Sequence, residues 1–293
     1  MRNKVVIAVI AASAGWGLAG VGTRAAYSAG ATTLSVLSIR TVVATAALAF
    51  TVFVTHTRPS GLAWWHGSLI GTLRIGVTPL LFMLSLNYIS AGVEGLVITL
   101  VPAATAVLAA IFIQERITGR QIAGLIIGLA GTLLIALAGD SGLGAEGDIV
   151  AGFGFAVGGV LVGSTTGVMQ RHYAPRHDTV ELALPMFLSG TVVAITFGAV
   201  IGFDSVRTYD ADLWLLLIVL GLGSTLLPFG LTLYASKHAT ATVVAMTAYV
   251  APLIAVIGGA VLLDEQITAV IAIGGLVAVV GVALVGTARR TQT

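Results

Sequence analysis

No cysteine occurs in the 293 residues, which excludes disulfides, thiolate nucleophiles and cysteine-bound metals and leaves the redox compartment unreadable. Charge is nearly as scarce. Asp, Glu, Lys and Arg make up 9% of the chain, where an ordinary soluble domain carries about 25%. A soluble protein so poor in charge would expose apolar patches larger than water tolerates, whereas a bilayer suits such a surface. A Gly-x-x-x-x-Gly-Lys-Ser/Thr loop is also missing, so the chain does not hydrolyse nucleotide itself. The five histidines, His56, His66, His172, His177 and His238, lack metal-protease spacing and fall near the ends of apolar runs, where solvated roles are the default. His172 with His177 is at best a weak metal pair, and no metal or other cofactor is expected. The two lysines and twelve arginines do not cluster, which argues against nucleic acid and makes them topology markers instead.

What the chain has in quantity is apolar sequence, 57% of it. A membrane span needs about 20 apolar residues, and ten such runs can be drawn: Val5 to Thr23, Thr33 to Val54, Gly67 to Tyr88, Ala91 to Phe112, Gly119 to Ala138, Ile149 to Met169, Val180 to Ile201, Leu213 to Ala235, Thr240 to Leu262 and Thr268 to Val285. Met1-Arg2-Asn3-Lys4 before the first run resembles a signal peptide, but cleavage is not expected, because it would leave the first half one helix short. Alternate ends and loops divide the basic residues unevenly. Arg2, Lys4, Arg58, Arg116, Arg120, Arg171, Arg176, Lys237, Arg289 and Arg290 fall on one side, and only Arg24 and Arg207 on the other. Positive residues stay inside, so both termini are expected in the cytoplasm.

The pattern Glu115-Arg116-Ile117-Thr118 recurs 150 positions later as Glu265-Gln266-Ile267-Thr268. Pro102 maps onto Pro252, Gly124 onto Gly274 and Gly131 onto Gly281 at the same offset. Such internal likeness points to one unit used twice. With five spans per unit the copies must sit upside down relative to each other, an arrangement of transporters. The expected fold is therefore an all-α membrane protein of ten transmembrane helices in two inverted five-helix repeats. Residues 1–138 would form the first repeat, the Gly-rich acidic stretch 139–147 a linker, and residues 148–293 the second, inverted repeat.

These residues resemble the ten-span members of the drug/metabolite transporter superfamily, in the branch called EamA. The most specific parts are Tyr88-Ile89-Ser90-Ala91 leading to Pro102 and Glu115, the glycine-spaced fifth span, and Ala239 through Pro252 and Glu265 to Gly281, with Trp16-Gly17 and Arg40 as further matches. The resemblance implies movement of amino acids, other small metabolites or amphipathic compounds out of cells through a cavity between the halves. The small multidrug members place a proton-coupling carboxylate in the middle of the first span. Here that span has Trp16 and no acidic residue, so proton exchange is not inherited by default.

Candidate substrate-binding residues are picked out by position. Pro102 and Pro252 lie near the middles of the fourth and ninth runs, where each removes a backbone donor and frees a carbonyl one turn earlier. Matching interrupted spans are a pointer to a transporter's central site, though a packing kink is the plain alternative. Thr99 with Tyr249, and Gly95 with Ala245, precede the prolines by three and seven residues, on one flank of a 3.6-residue helix. Pro79 and Pro228 nearly match, at an offset of 149. Trp16 and Tyr249 offer aromatic faces to a ligand, or fill a core. Arg40 and Arg74 each lie seven residues inside a span, about 10 Å from its end. An arginine near a helix centre costs about 2.5 to 3.5 kcal/mol on insertion scales, so a partner, water or snorkelling must relieve it. Glu94 is placed to pair with Arg40 or to sit solvated at a helix start. Thr118-Gly119-Arg120-Gln121 fits a capping box. The glycines of the fifth and tenth spans form stripes that let those two helices approach closely.

The function expected from the sequence is a secondary active transporter, exporting small metabolites by alternating access. An exchanger of anionic substrates such as phosphorylated sugars is the alternative, with a membrane-embedded enzyme or a channel behind it. The partners are a small-molecule substrate and the bilayer of a bacterial inner membrane. Proton or substrate counter-transport, and monomer or homodimer, stay open.

Overall fold

A computed structural model describes residues 2–85, 88, 97–138, 149–203, 208–262 and 269–287. Among these residues the regular structure is helical. Before the 139–148 stretch come α1 (Arg2–Ser28), α2 (Thr33–Thr55), α3 (Gly61–Gly71), α4 (Thr78–Ser85), α5 (Val101–Phe112) and α6 (Gly119–Ala138). After it come α7 (Ile149–Tyr173), α8 (Thr179–Ile201), α9 (Ala211–Gly221), α10 (Leu227–His238), α11 (Ala241–Ala245), α12 (Thr247–Leu262) and α13 (Ala269–Thr287). Wide π-helical segments join α3 to α4 (Thr72–Val77) and α9 to α10 (Leu222–Leu226).

Local chemistry marks the helix starts. The hydroxyls of Thr32, Ser60 and Thr240 and the carboxylate of Asp210 accept the backbone N–H three residues on, relieving one of the free donors at each N-terminus. The capping box expected at the start of α6 forms: Gln121 N–H donates to the Thr118 hydroxyl at 3.2 Å, and Thr118 N–H donates to the Gln121 side chain at 2.9 Å. Glu181 does two jobs. It closes a capping box on α8 and accepts the Ser60 N–H at 2.8 Å, fixing the start of α3 against α8.

The burial pattern is inverted relative to a water-soluble bundle. Phe50, Phe53, Trp65, Val150 and Leu276 are exposed, while Ser13, Ser164, Thr166 and Thr232 are fully buried. Some buried hydroxyls bond to their own helix, Ser13 to the Val9 carbonyl at 2.7 Å and Ser236 to that of Thr232 at 2.8 Å, as isolated hydroxyls do where no water is at hand, while Ser164 reaches across to the Val101 carbonyl at 3.2 Å. Among the described residues five helical stretches are long and apolar enough to cross a membrane by length and composition. They are Asn3–Ser28, Thr33–Thr55, Val150–Arg176, Thr179–Ile201 and Ala211–His238.

Packing crosses the chain's midpoint in a reciprocal way. α1 lies on α10 and α12, α7 on α4 and α5, and α2 on α8. Among the described residues α6 packs along α13 more extensively than any other pair of helices, as the glycine stripes predict. A Cβ on Gly281 would sit 2.5 Å from the Gly128 Cα and 2.7 Å from the Gly124 carbonyl oxygen, and one on Gly131 would strike the backbone of Ala278. Only hydrogen fits at these positions.

Candidate functional site

Two prolines shape the centre of the molecule. Pro79 and Pro228 lack an N–H and crowd the preceding turn, so the residue before each closes a five-residue step. Thr78 N–H donates to the Leu73 carbonyl and Leu227 N–H to that of Leu222. Such π segments widen a helix locally and recur at functional sites. In an unbroken helix the Ser224 carbonyl would accept the N–H of residue 228, which proline lacks. Arg40 takes its place, donating from Nη2 to the Ser224 carbonyl at 3.2 Å, from Nε to the Thr225 hydroxyl at 3.0 Å and from Nη1 to the Thr23 hydroxyl at 3.2 Å. Its three guanidinium nitrogens thus tie α1 and α2 to the second π segment. Arg40 is relieved by protein partners rather than by snorkelling.

Arg74 has no such set of partners. It sits within the first π segment, its guanidinium carbon 5.9 Å from the ring centre of Trp16 on α1 and 5.5 Å from that of Phe229 on α10. The two rings meet edge to face at 5.5 Å. Arg74 Nε is buried without a hydrogen-bond partner, and so is Nε2 of Gln170 on α7, a residue 2% exposed.

Both side chains face a cavity of about 580 Å³, within the range of small-molecule sites. Its wall is drawn from both sides of the chain's midpoint. Trp16, Arg40 and Arg74 line it from one side, and Gln170, Phe229 and Ala245 from the other. At one end it reaches Ser236 and Ala241, and an ion pair lies there. Glu115 Oε1 is 3.5 Å from Nε of Arg171, Glu115 Oε2 accepts the Ala241 N–H at 3.0 Å, and Arg171 Nη1 donates to the Ser236 carbonyl at 2.9 Å. Glu115 therefore joins the end of the α5 region to α7, α10 and α11.

Of the residues singled out from sequence, the structure brings Trp16, Arg40, Arg74 and Ala245 to the cavity. Tyr249 is placed elsewhere: fully buried, it donates to the Leu125 carbonyl at 3.2 Å, and a Cβ on Gly128 would meet its ring. Thr99 and Pro102 are buried and do not line the cavity. The physical reason is a break in each helix. The chain turns at residues 99–100, with Pro102 in the first turn of α5, and turns again at Met246 between α11 and α12. A flank extrapolated along one continuous helix loses its register at such a break. Pro252 lies within α12, its side chain outside the described residues, and Glu94 and Gly95 lie outside them altogether. Gln170, Phe229 and Thr225 were not singled out. A lone glutamine at the end of an apolar run and an aromatic directly after Pro228 were the available signals.

The model of the EamA-like transporter family matches residues 3–137 and again residues 150–287. The chain belongs to the EamA-like transporter family. An uncharacterized transporter of Archaeoglobus fulgidus is 26% identical over 237 residues, covering 80% of each chain. The uncharacterized transporter YdfC of Bacillus subtilis is 27% identical over 222 residues, 73% of this chain and 68% of its own. One crystal structure superposes with a TM-score of 0.81 at 22% identity, covering 97% of this chain and 96% of the other, which shows a shared fold. This EamA-like chain is thus a multi-pass integral membrane protein, and family and relatives alike point to transport rather than catalysis.

Proposed function

We propose that this protein is a secondary active transporter that exports a small metabolite by alternating access through the central cavity. The carrying observation is that the cavity is walled jointly by helices from before and after residue 139, including both π segments. Interrupted helices at matching positions of two repeats are where transporters bind their cargo. The reading takes ten spans, in two inverted sets of five, with both termini in the cytoplasm of a bacterial cell. Reciprocal packing of α1 and α7, and a family model that fits twice, support that division. In this topology the Glu115–Arg171 contact closes the cytoplasmic end of the cavity. Opening that end requires the contact to part while the outer end closes.

Reconstituted vesicles test the reading. A carrier gives uptake that saturates with substrate and is accelerated by substrate on the opposite side. Ala245→Trp, which fills the cavity wall, is expected to abolish this uptake while the protein still assembles. Flux that rises linearly without exchange would replace the carrier with a channel.

A further inference from the structure

If the central cavity holds the cargo, its unpaired polar groups report the chemistry of that cargo. Resting on that transporter reading, we infer that Arg74 and Gln170 form a subsite for an oxyanion head, carboxylate or phosphate, of a cargo with an apolar body and no ammonium group. A buried cation without a hydrogen-bonding partner is costly, and natural proteins leave few buried polar groups unsatisfied. Here two such donors, Arg74 Nε and Gln170 Nε2, occur in one cavity. An ionised oxyanion accepts hydrogen bonds and donates none, so it is the head group that suits both donors.

Arg40 does not serve as the grip. Each of its guanidinium nitrogens already donates, to Thr23, Ser224 or Thr225, which pins the side chain to α1 and the second π segment and leaves two of its five N–H groups and its positive field to the cavity. The repeat makes the contrast sharper, because residue 224 stands 150 positions after Arg74 and is a serine. The guanidinium of Arg74 therefore has no counterpart on the opposite π segment.

The lining also speaks against a cation. Among the described residues that line the cavity there are two arginines and no carboxylate. The faces of Trp16 and Phe229, which could otherwise take an ammonium, already carry Arg74. A zwitterion would find its negative end held and its positive end repelled. Ile75, Phe82, Ile98, Val101, Val244 and Ala251 give much of the rest of the wall an apolar surface, alongside hydroxyls such as that of Thr105, which suits an aliphatic or aromatic body.

Four probes of one shape separate the possibilities: phenylacetate, phenyl phosphate, L-phenylalanine and phenethylamine. Each is titrated calorimetrically into the purified full-length protein. Phenylacetate, phenyl phosphate or both are expected to bind, their order showing which head is preferred. Phenylalanine should bind about tenfold more weakly, and phenethylamine not at all. Arg74→Gln should weaken the anions by about tenfold or more, and Gln170→Leu by several-fold. Arg74→Lys should fall in between, since it keeps the charge and loses the fork. If Arg74→Gln does not assemble, Gln170→Leu carries the test. Phenethylamine binding as tightly as phenylacetate, neither anion binding up to its solubility, or unchanged anion affinity in the variants would overturn the subsite. Saturable vesicle uptake of phenethylamine, blocked by Ala245→Trp, would do so too while leaving the transporter reading intact.

Discussion

At the scale of single residues, the two arginines of the cavity illustrate how one backbone defect can decide the fate of a charge. Pro228 withholds an N–H, the Ser224 carbonyl is left over, and Arg40 binds it. Hydrogen bonds to charged groups contribute about 1.5–3 kcal/mol each to stability, so Arg40→Ala should destabilise the purified protein by about 3 kcal/mol or more, read as a clear fall in its melting temperature. In a Pro228→Ala background, where residue 228 supplies its own donor, the same change should cost about 1 kcal/mol less. Purely additive effects in that double-mutant cycle would mean that the proline and the arginine are not linked.

The histidines carry a second prediction at this scale. His66 Nδ1 lies 2.9 Å from Nε2 of His177, and its ring stacks on Tyr173 at 3.9 Å. His66 lies at the start of the third helical stretch, outside the five long apolar ones. Burial first, then the neighbouring His177, Arg176 and His172, push the His66 pKa below its ordinary 6.5. The neutral imidazole is therefore favoured in the folded protein, and its contribution is present above pH 6.5 and lost as pH falls below that value. Melting temperature should drop on acidification through this window, and His66→Gln should flatten the drop. An equally steep profile in the variant would remove the histidine pair as its cause.

At the scale of elements, composition and spacing made much of the molecule readable. The capping box at Thr118 and the glycine seam between α6 and α13 needed only local rules, because each depends on residues three to seven apart on one regular helix. The breaks at residues 99–100 and at Met246 were not readable from the same rules, since any period-based flank assumes an uninterrupted helix. That is why Trp16, Arg40, Arg74 and Ala245 share a cavity that Tyr249 does not enter. The π segments did leave a trace. Gly71 and Gly221 are 150 apart, Pro79 and Pro228 are 149 apart, and the one-residue difference falls between six π residues in one copy and five in the other. A π segment accommodates an inserted residue without breaking the helix. For the seam itself, Gly131→Leu should destabilise strongly, because its side chain has only the backbone of α13 to move into. Overpacking of this kind costs about 1–3 kcal/mol or more. Gly230→Ala meets nothing within 4 Å and should be neutral. Equal tolerance of both changes would show that the close approach is dispensable.

At the scale of the whole molecule, the membrane assignment was legible because it rests on bulk composition, while the details of the cavity depend on long-range packing that no short motif encodes. The natural absence of cysteine allows single labels to be introduced without background. With Glu115→Cys and Glu265→Cys, membrane-impermeant reagents should reach opposite faces if the halves are inverted, and the same face if they are not. Ser236→Cys, beside the Glu115–Arg171 contact, should react slowly from the cytoplasmic side. Adding Glu115→Gln should speed that reaction, since the closure at that end loses its ion pair.

The seam of α6 and α13 lies apart from the cavity and from the Glu115 contact, held by backbone against backbone. In the proposed alternating-access cycle it would serve as a fulcrum: a line about which two lobes rock without repacking bulky side chains. A covalent staple across it should therefore leave turnover intact, whereas one between α1 and α10 should freeze the machine in a single posture.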